Sequence, residues 1–176
     1  MKKLFLLFAV LCFAVGAKAM SSDEFDEASK QKATVLQQAV KNIRDRAVYS
    51  RAFPANTVNE AFKYTEYAFN YVQPDILWVT QIIETSDNPN QKMLAEMKSV
   101  LQENEKILAN QNKLYAFKTI PVERDSDYSA VVNAYNAAVK DVKSFFSEQI
   151  KYLKEEIKKA EDNINKNQEP PQDNEN

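Results

Sequence analysis

The chain has 176 residues and holds no histidine, one cysteine (Cys12) and one glycine (Gly16). Both exceptions fall in the first 19 residues, and the 157 that follow carry 20 basic and 25 acidic side chains, a net charge of −5. For residues 20–176 this excludes thiol catalysis, disulfides, histidine-based metal or haem ligation and every glycine-dependent phosphate loop.

Residues 1–19 read as an export signal. Lys2 and Lys3 form a charged start, Leu4 to Val15 an apolar run, and Ala17-Lys18-Ala19 a small-residue cleavage site that places the cut before Met20. Twelve apolar residues fall short of the about 20 needed to span a bilayer. Cys12 lies inside the run instead of after it, which argues against a lipoprotein signal. The expectation is a bacterial protein of the periplasm or the exterior, with no transmembrane segment in the mature chain. Its longest apolar block, Ile76-Leu77-Trp78-Val79, already stops at Thr80. An exported chain without cysteine takes no support from oxidation, so a packed core must hold it together. Residues 20–167 suffice for one domain. Residues 168–176, polar with two prolines, read as a disordered tail.

From Met20 onward helical periodicity dominates. The first segment starts at Ser21 or Ser22 with an acidic first turn, and Phe25, Ala28, Val35, Leu36, Ala39, Val40, Ile43 and Ala47 recur on one face. Pro54 predicts its end near Phe53. The second segment opens on Thr57-Val58-Asn59-Glu60, a capping-box pattern. Val58, Ala61, Phe62, Thr65, Ala68, Phe69 and Val72 form one face; Tyr64, Tyr67 and Tyr71 form a second. Pro74 predicts a kink or break. The β-branched run Ile76 to Ile83 suits a strand, but a lone strand would have no ladder partner. A helix continuing to about Thr85 is therefore expected.

Ser86 to Asn90 is a turn, with Pro89 placed as a first helical residue. The third segment repeats every seven residues through Met93-Leu94, Val100-Leu101, Ile107-Leu108 and Leu114-Tyr115, which suits coiled-coil-like packing. Its remaining seam position reads Met97, Asn104, Gln111, increasingly polar. Lys118 to Ser126 reads as a loop. The last helix is expected from about Asp127 to Ile164, with a stripe from Val132 to Ile164 whose spacing alternates three and four except for a four-four step at Phe146. Its charged last third contains Lys151/Glu155 and Glu155/Lys159, spaced to pair across one turn. The fold class that follows is all-α: an up-down bundle of four long amphipathic helices with short connections. Lacking glycine, its helix ends must be closed by asparagine, proline or loop contacts.

Few constellations carry chemistry. The acidic loop Glu123 to Asp127 lacks the EF-hand pattern, since positions six and twelve counted from Asp125 are Ala130 and Asn136. A dimetal site of the Glu-x-x-His kind and C-x-x-C-H haem attachment are absent, so no metal, cofactor or catalytic residue is assigned. The best candidate surface is Phe62 to Trp78, with six of the 16 aromatics of residues 20–176 in 17 positions. Tyr64, Tyr67, Tyr71 and Trp78 are assigned to a partner or ligand surface, against the plain alternative of packing within the bundle. Asn104 and Gln111 are assigned to a polar seam that sets register or pairing, against a solvent-facing alternative.

The expected function is non-enzymatic protein–protein interaction, as an envelope chaperone, inhibitor, adhesin or structural protein. The partner is an unknown protein, with self-association next; Lys and Arg form no basic stripe for nucleic acid. The second reading is a carrier holding an apolar or aromatic ligand between helices near the Tyr/Trp segment, and the third is a carboxylate-dependent hydrolase.

Overall fold

The computed structural model describes residues 20–47, 55–86, 89–122 and 128–168. The export signal, the end of the first helix near Phe53, the acidic loop 123–127 and residues 169–176 lie outside the described residues. The described residues form four helices: α1 Ser22–Ala47, α2 Ala55–Thr85, α3 Gln91–Leu108 and α4 Ser129–Gln168. No strand occurs among the described residues. The protein is an all-α bundle.

Each helix packs against its chain neighbours, α1 also packs on α4, and α2 meets α4 across the middle. α1 and α3 thus flank a central α2/α4 pair. Cross-links fix the directions. Ser22 N–H donates to Glu84 at 2.8 Å, so the start of α1 lies at the end of α2; Tyr128 donates to the Arg46 carbonyl at 2.7 Å, so the end of α1 lies at the start of α4. Lys154 reaches Glu105 at 2.9 Å and Lys98, earlier on α3, reaches Glu161, later on α4, so α3 runs antiparallel to α4. Neighbours alternate up and down.

Local chemistry sets the helix ends. Ser21 and Glu24 form a reciprocal capping box: Ser21 N–H donates to Glu24 Oε2 at 2.9 Å and Glu24 N–H to Ser21 Oγ at 3.2 Å. α2 begins at Ala55, ahead of the Thr57 capping pattern, and Glu60 is instead 3.6 Å from Lys118 Nζ. Pro74 does not divide it. Asn70, four residues back, and Pro74 are both exposed, so the carbonyl that proline leaves unbonded lies on the water-facing side and one helix continues through Ile76–Ile83 to Thr85. Asn90 caps α3, accepting from Met93 N–H at 2.9 Å; Pro89 is the residue before that cap, not the first helical residue.

α3 stops earlier than its heptads predict. Leu114 and Tyr115 are outside it, because Asn110 turns left-handed at φ 58°. Asn110 N–H then bonds the Ile107 carbonyl at 2.9 Å and Gln111 N–H the Lys106 carbonyl at 2.8 Å, a Schellman closure built on asparagine in place of glycine. Gln111 is exposed just past the helix, so of the expected polar seam only Asn104 is buried. From here residues 111–122 run without helix or strand, and this strap takes the corner that α3 vacates.

The core is continuous from Phe25 to Ile157. The four-four step in the α4 stripe turns two neighbours inward, and Phe145 and Phe146 are both buried. Around them gather Phe25 of α1, Phe69 of α2 and Phe117 of the strap, with centroids between 5.2 and 6.1 Å from Phe145 or Phe146. Surface charges pair both across helices and along them. Lys32 meets Asp141 at 2.6 Å, and on α4 Lys159 pairs with Glu156 at 2.6 Å instead of with Glu155. Exposed pairs of this kind contribute little each.

Candidate functional site

Tyr64, Tyr67 and Tyr71 share one side of α2 because positions three and four apart stack along a helix face. The same side continues through Asp75 and Trp78. The structure brings the three tyrosines together as an edge and treats each differently. Tyr64 is half-buried under Lys118, whose Nζ sits 3.7 Å from the ring centroid. Tyr67 is 46% exposed, with Lys63 Nζ 5.7 Å from its ring, and Tyr71 is 39% exposed. Tyr71 stacks on Tyr115 of the strap, centroids 4.8 Å apart and planes 28° from parallel. Trp78 is not part of that exposed edge: it is half-buried and packed against the core.

One turn below Tyr71 lies a polar junction. Asn104 is fully buried on α3 and donates from Nδ2 to Asp75 Oδ2 at 3.1 Å, while its own Oδ1 has no partner. Burial pushes the Asp75 carboxyl up from the usual carboxylate range, and the Asn104 bond partly counters this. The Tyr71 hydroxyl is also pushed up, first by burial and then by the neighbouring Asp75 and Glu103 carboxylates. Glu103 accepts from Lys106 at 3.2 Å and from Asn112 at 3.0 Å, which draw its carboxyl below the ordinary range. Asn112 in turn accepts the N–H groups of Leu114 and Tyr115 at 2.7 and 3.0 Å, turning the chain so that Tyr115 meets Tyr71.

Further along, side chains of the central pair hold the strap by its backbone. Lys118 N–H donates to Thr65 Oγ1 at 3.0 Å, and the Tyr135 hydroxyl lies 3.1 Å from both Thr65 Oγ1 and the Lys118 carbonyl. Burial raises the Tyr135 hydroxyl to about 12. Asn136 binds Ile120 twice, accepting its N–H and donating to its carbonyl, both at 2.8 Å. Ala116, Phe117 and Ile120 are buried beneath, whereas Leu114 is 67% exposed above.

Sequence reasoning missed Tyr115, Phe117 and Asn136. The signals were present: Asn110-Gln111-Asn112 is a cluster of turn formers, and Thr119-Ile120-Pro121 is poor helix material. The heptad count outweighed them.

Among the described residues no group of three or more His, Cys, Asp or Glu is placed to hold a metal ion. No helix there is long and apolar enough to cross a membrane. A cleft of about 360 Å³ opens elsewhere, where Thr80, Ile83 and Glu84 of α2 meet Met20, Glu24 and Tyr152; none of the tyrosine edge lines it. Comparison with protein-family models, curated proteins and solved structures gives no match.

Proposed function

We propose that this is an exported, non-enzymatic helical bundle that binds a protein partner through the tyrosine edge of α2 and the outer face of the strap. One observation carries the reading. Of the six large apolar side chains exposed among the described residues, Tyr67, Tyr71, Leu114 and Val122 all belong to this edge or strap. Apolar exposure concentrated on one face, instead of scattered singly, is what an interaction site requires. Tyrosine supplies broad contact area at low entropic cost, and Lys63 and Lys118 rim it with charge. Behind the edge, Ala68, Phe69 and Val72 of the same helix are buried in the core. Export is supported by Lys2-Lys3, the apolar run and Ala17-Lys18-Ala19.

The test is affinity capture from the bacterial cell envelope with the chain from Met20 and its Tyr67→Ala/Tyr71→Ala variant. A partner captured stoichiometrically by the parent is expected to disappear with the variant, whose melting point stays within a few degrees. Equal capture by a folded variant rejects the edge as the interface.

A further inference from the structure

The strap is held as a receptor holds an extended peptide. Thr65, Tyr135 and Asn136 direct their polar atoms at main-chain groups of Lys118 and Ile120 and at none of the strap's side chains. Asn136 gives Ile120 both bonds that a neighbouring β-strand would give. Contacts of this kind select an extended chain with a free N–H at both positions, whatever the side chains. Side-chain selection comes from two buried positions. Phe117 is 1% exposed and edge-on to Phe146 at 6.1 Å, and Ile120 is buried three residues later. The buried hydroxyls of Thr65 and Tyr135 need backbone groups in this place to complete their bonding.

We propose that the groove between α2 and α4 is a peptide-binding groove, filled here by residues 115–121 of the chain itself, and that it accepts in exchange an extended segment of a partner protein. That segment carries an aromatic residue and, three positions on, a β-branched aliphatic one. It has no proline at the aliphatic position or directly after the aromatic. The strap has neither helix nor ladder of its own, and Leu114, Thr119, Pro121 and Val122 are exposed along it, so it opens more readily than the helices. A partner's free segment fits better than the strap of a second copy. The strap is tethered to α3 at Leu108 and to α4 at Ser129, so exchange between copies must carry a helix with it. This inference does not rest on the tyrosine edge, which touches the strap through Tyr115 and Lys118.

The experiment uses residues 20–176 carrying Phe117→Ala and Ile120→Ala, which strip the strap of its anchors, and a fluorescent peptide of residues 112–122. Saturable binding by anisotropy and a raised melting point are expected. Asn136→Ala added to the protein, which removes two backbone bonds, is expected to weaken binding by about tenfold or more. A folded variant that does not bind the peptide overturns the proposal. If the variant does not fold, hydrogen exchange on the parent chain decides. The Lys118 and Ile120 amides are expected to exchange faster than those of α2 and α4, and faster again in excess peptide. Exchange at the helices' rate, unmoved by peptide, overturns it. A doubled mass with strap cross-links between copies overturns the partner reading in favour of a second copy.

Discussion

One stripe of α2 meets two different covers. Below Tyr71 the stripe continues as Asp75 and Trp78 beside α3, and Asn104 of that helix is buried against Asp75. From Tyr71 upward the strap packs on the same stripe, and Tyr67 and Tyr71 stay open to solvent. A helix covers a neighbour with a row of side chains about 10 Å wide and closes its own backbone bonds. An extended segment is thinner and must borrow partners, here Thr65, Tyr135 and Asn136. Replacing helix by strap therefore leaves aromatic surface uncovered above and places receptor-like polar groups below.

The sharpest way to break this contrast is to ask whether the strap is only a lid. Phe117 meets Phe146 within the aromatic cluster, so Phe117→Ala is expected to cost about 3–5 kcal/mol, as much as a core truncation in the helical half such as Leu101→Ala, about 2–5 kcal/mol. Urea unfolding of the two variants measures this. A loss near zero for Phe117→Ala would make the strap a dispensable cover.

Tyr135 separates the halves by pH. Its hydroxyl is raised from 10.0 to about 12 by burial, so the folded protein holds the protonated form more tightly than the unfolded chain does. That stabilisation is fully present below pH 10 and is lost as pH rises from 10 to about 12, by at most roughly 2–3 kcal/mol. Tyr135→Phe removes this loss and costs about 1 kcal/mol at neutral pH. The difference between parent and variant urea midpoints across pH 9–12 isolates Tyr135 from the other tyrosines. Parallel curves would contradict the assignment.

In the helical half the carboxylate is the weak point. Asp75 is raised by burial, so its ionised form costs stability above its folded pKa, and that cost fades as pH falls through it. Asp75→Asn is expected to stabilise the neutral protein by about 1 kcal/mol, because a second amide can donate to the orphan Asn104 Oδ1 while accepting from Nδ2. The gain shrinks in acid, where a protonated Asp75 makes the same donation. Thermal melts at pH 7 and pH 4 test both parts.

The helices were legible because their apolar spacing is their cause. Val132 to Ile164 is read from the chain and found inward-facing, fully or in part, at every position. The end of α3 was marked only by the turn formers Asn110 to Asn112, while Leu114-Tyr115 keeps the seven-residue phase after the helix has stopped. Phase reports which residues are apolar; one left-handed asparagine, Asn110, decides where the backbone turns. The tyrosine edge was half legible. Spacing puts Tyr64, Tyr67, Tyr71 and Trp78 on one side of α2, but which of them stays exposed depends on what lies across from them. That depends on α3 ending at Leu108. Asn136 was invisible as a site residue because its ligand, the Ile120 backbone, has no signature in side-chain pattern.

The smallest expected effects bear most directly on function. Tyr71 stacks on Tyr115, an aromatic pair worth about 0.5–1.5 kcal/mol, so Tyr71→Ala is expected to lower stability by that order and to raise proteolysis of the strap. Among the described residues Tyr67 has no such partner, only a lysine 5.7 Å from its ring, and Tyr67→Ala is expected to change stability by less than about 0.5 kcal/mol. A large aromatic that can be removed without cost to the fold contributes little to folding energy, and its exposure is free for another use. If Tyr67→Ala proves as destabilising as Tyr71→Ala, the edge is structural packing and the contrast between the two covers of α2 loses its functional meaning.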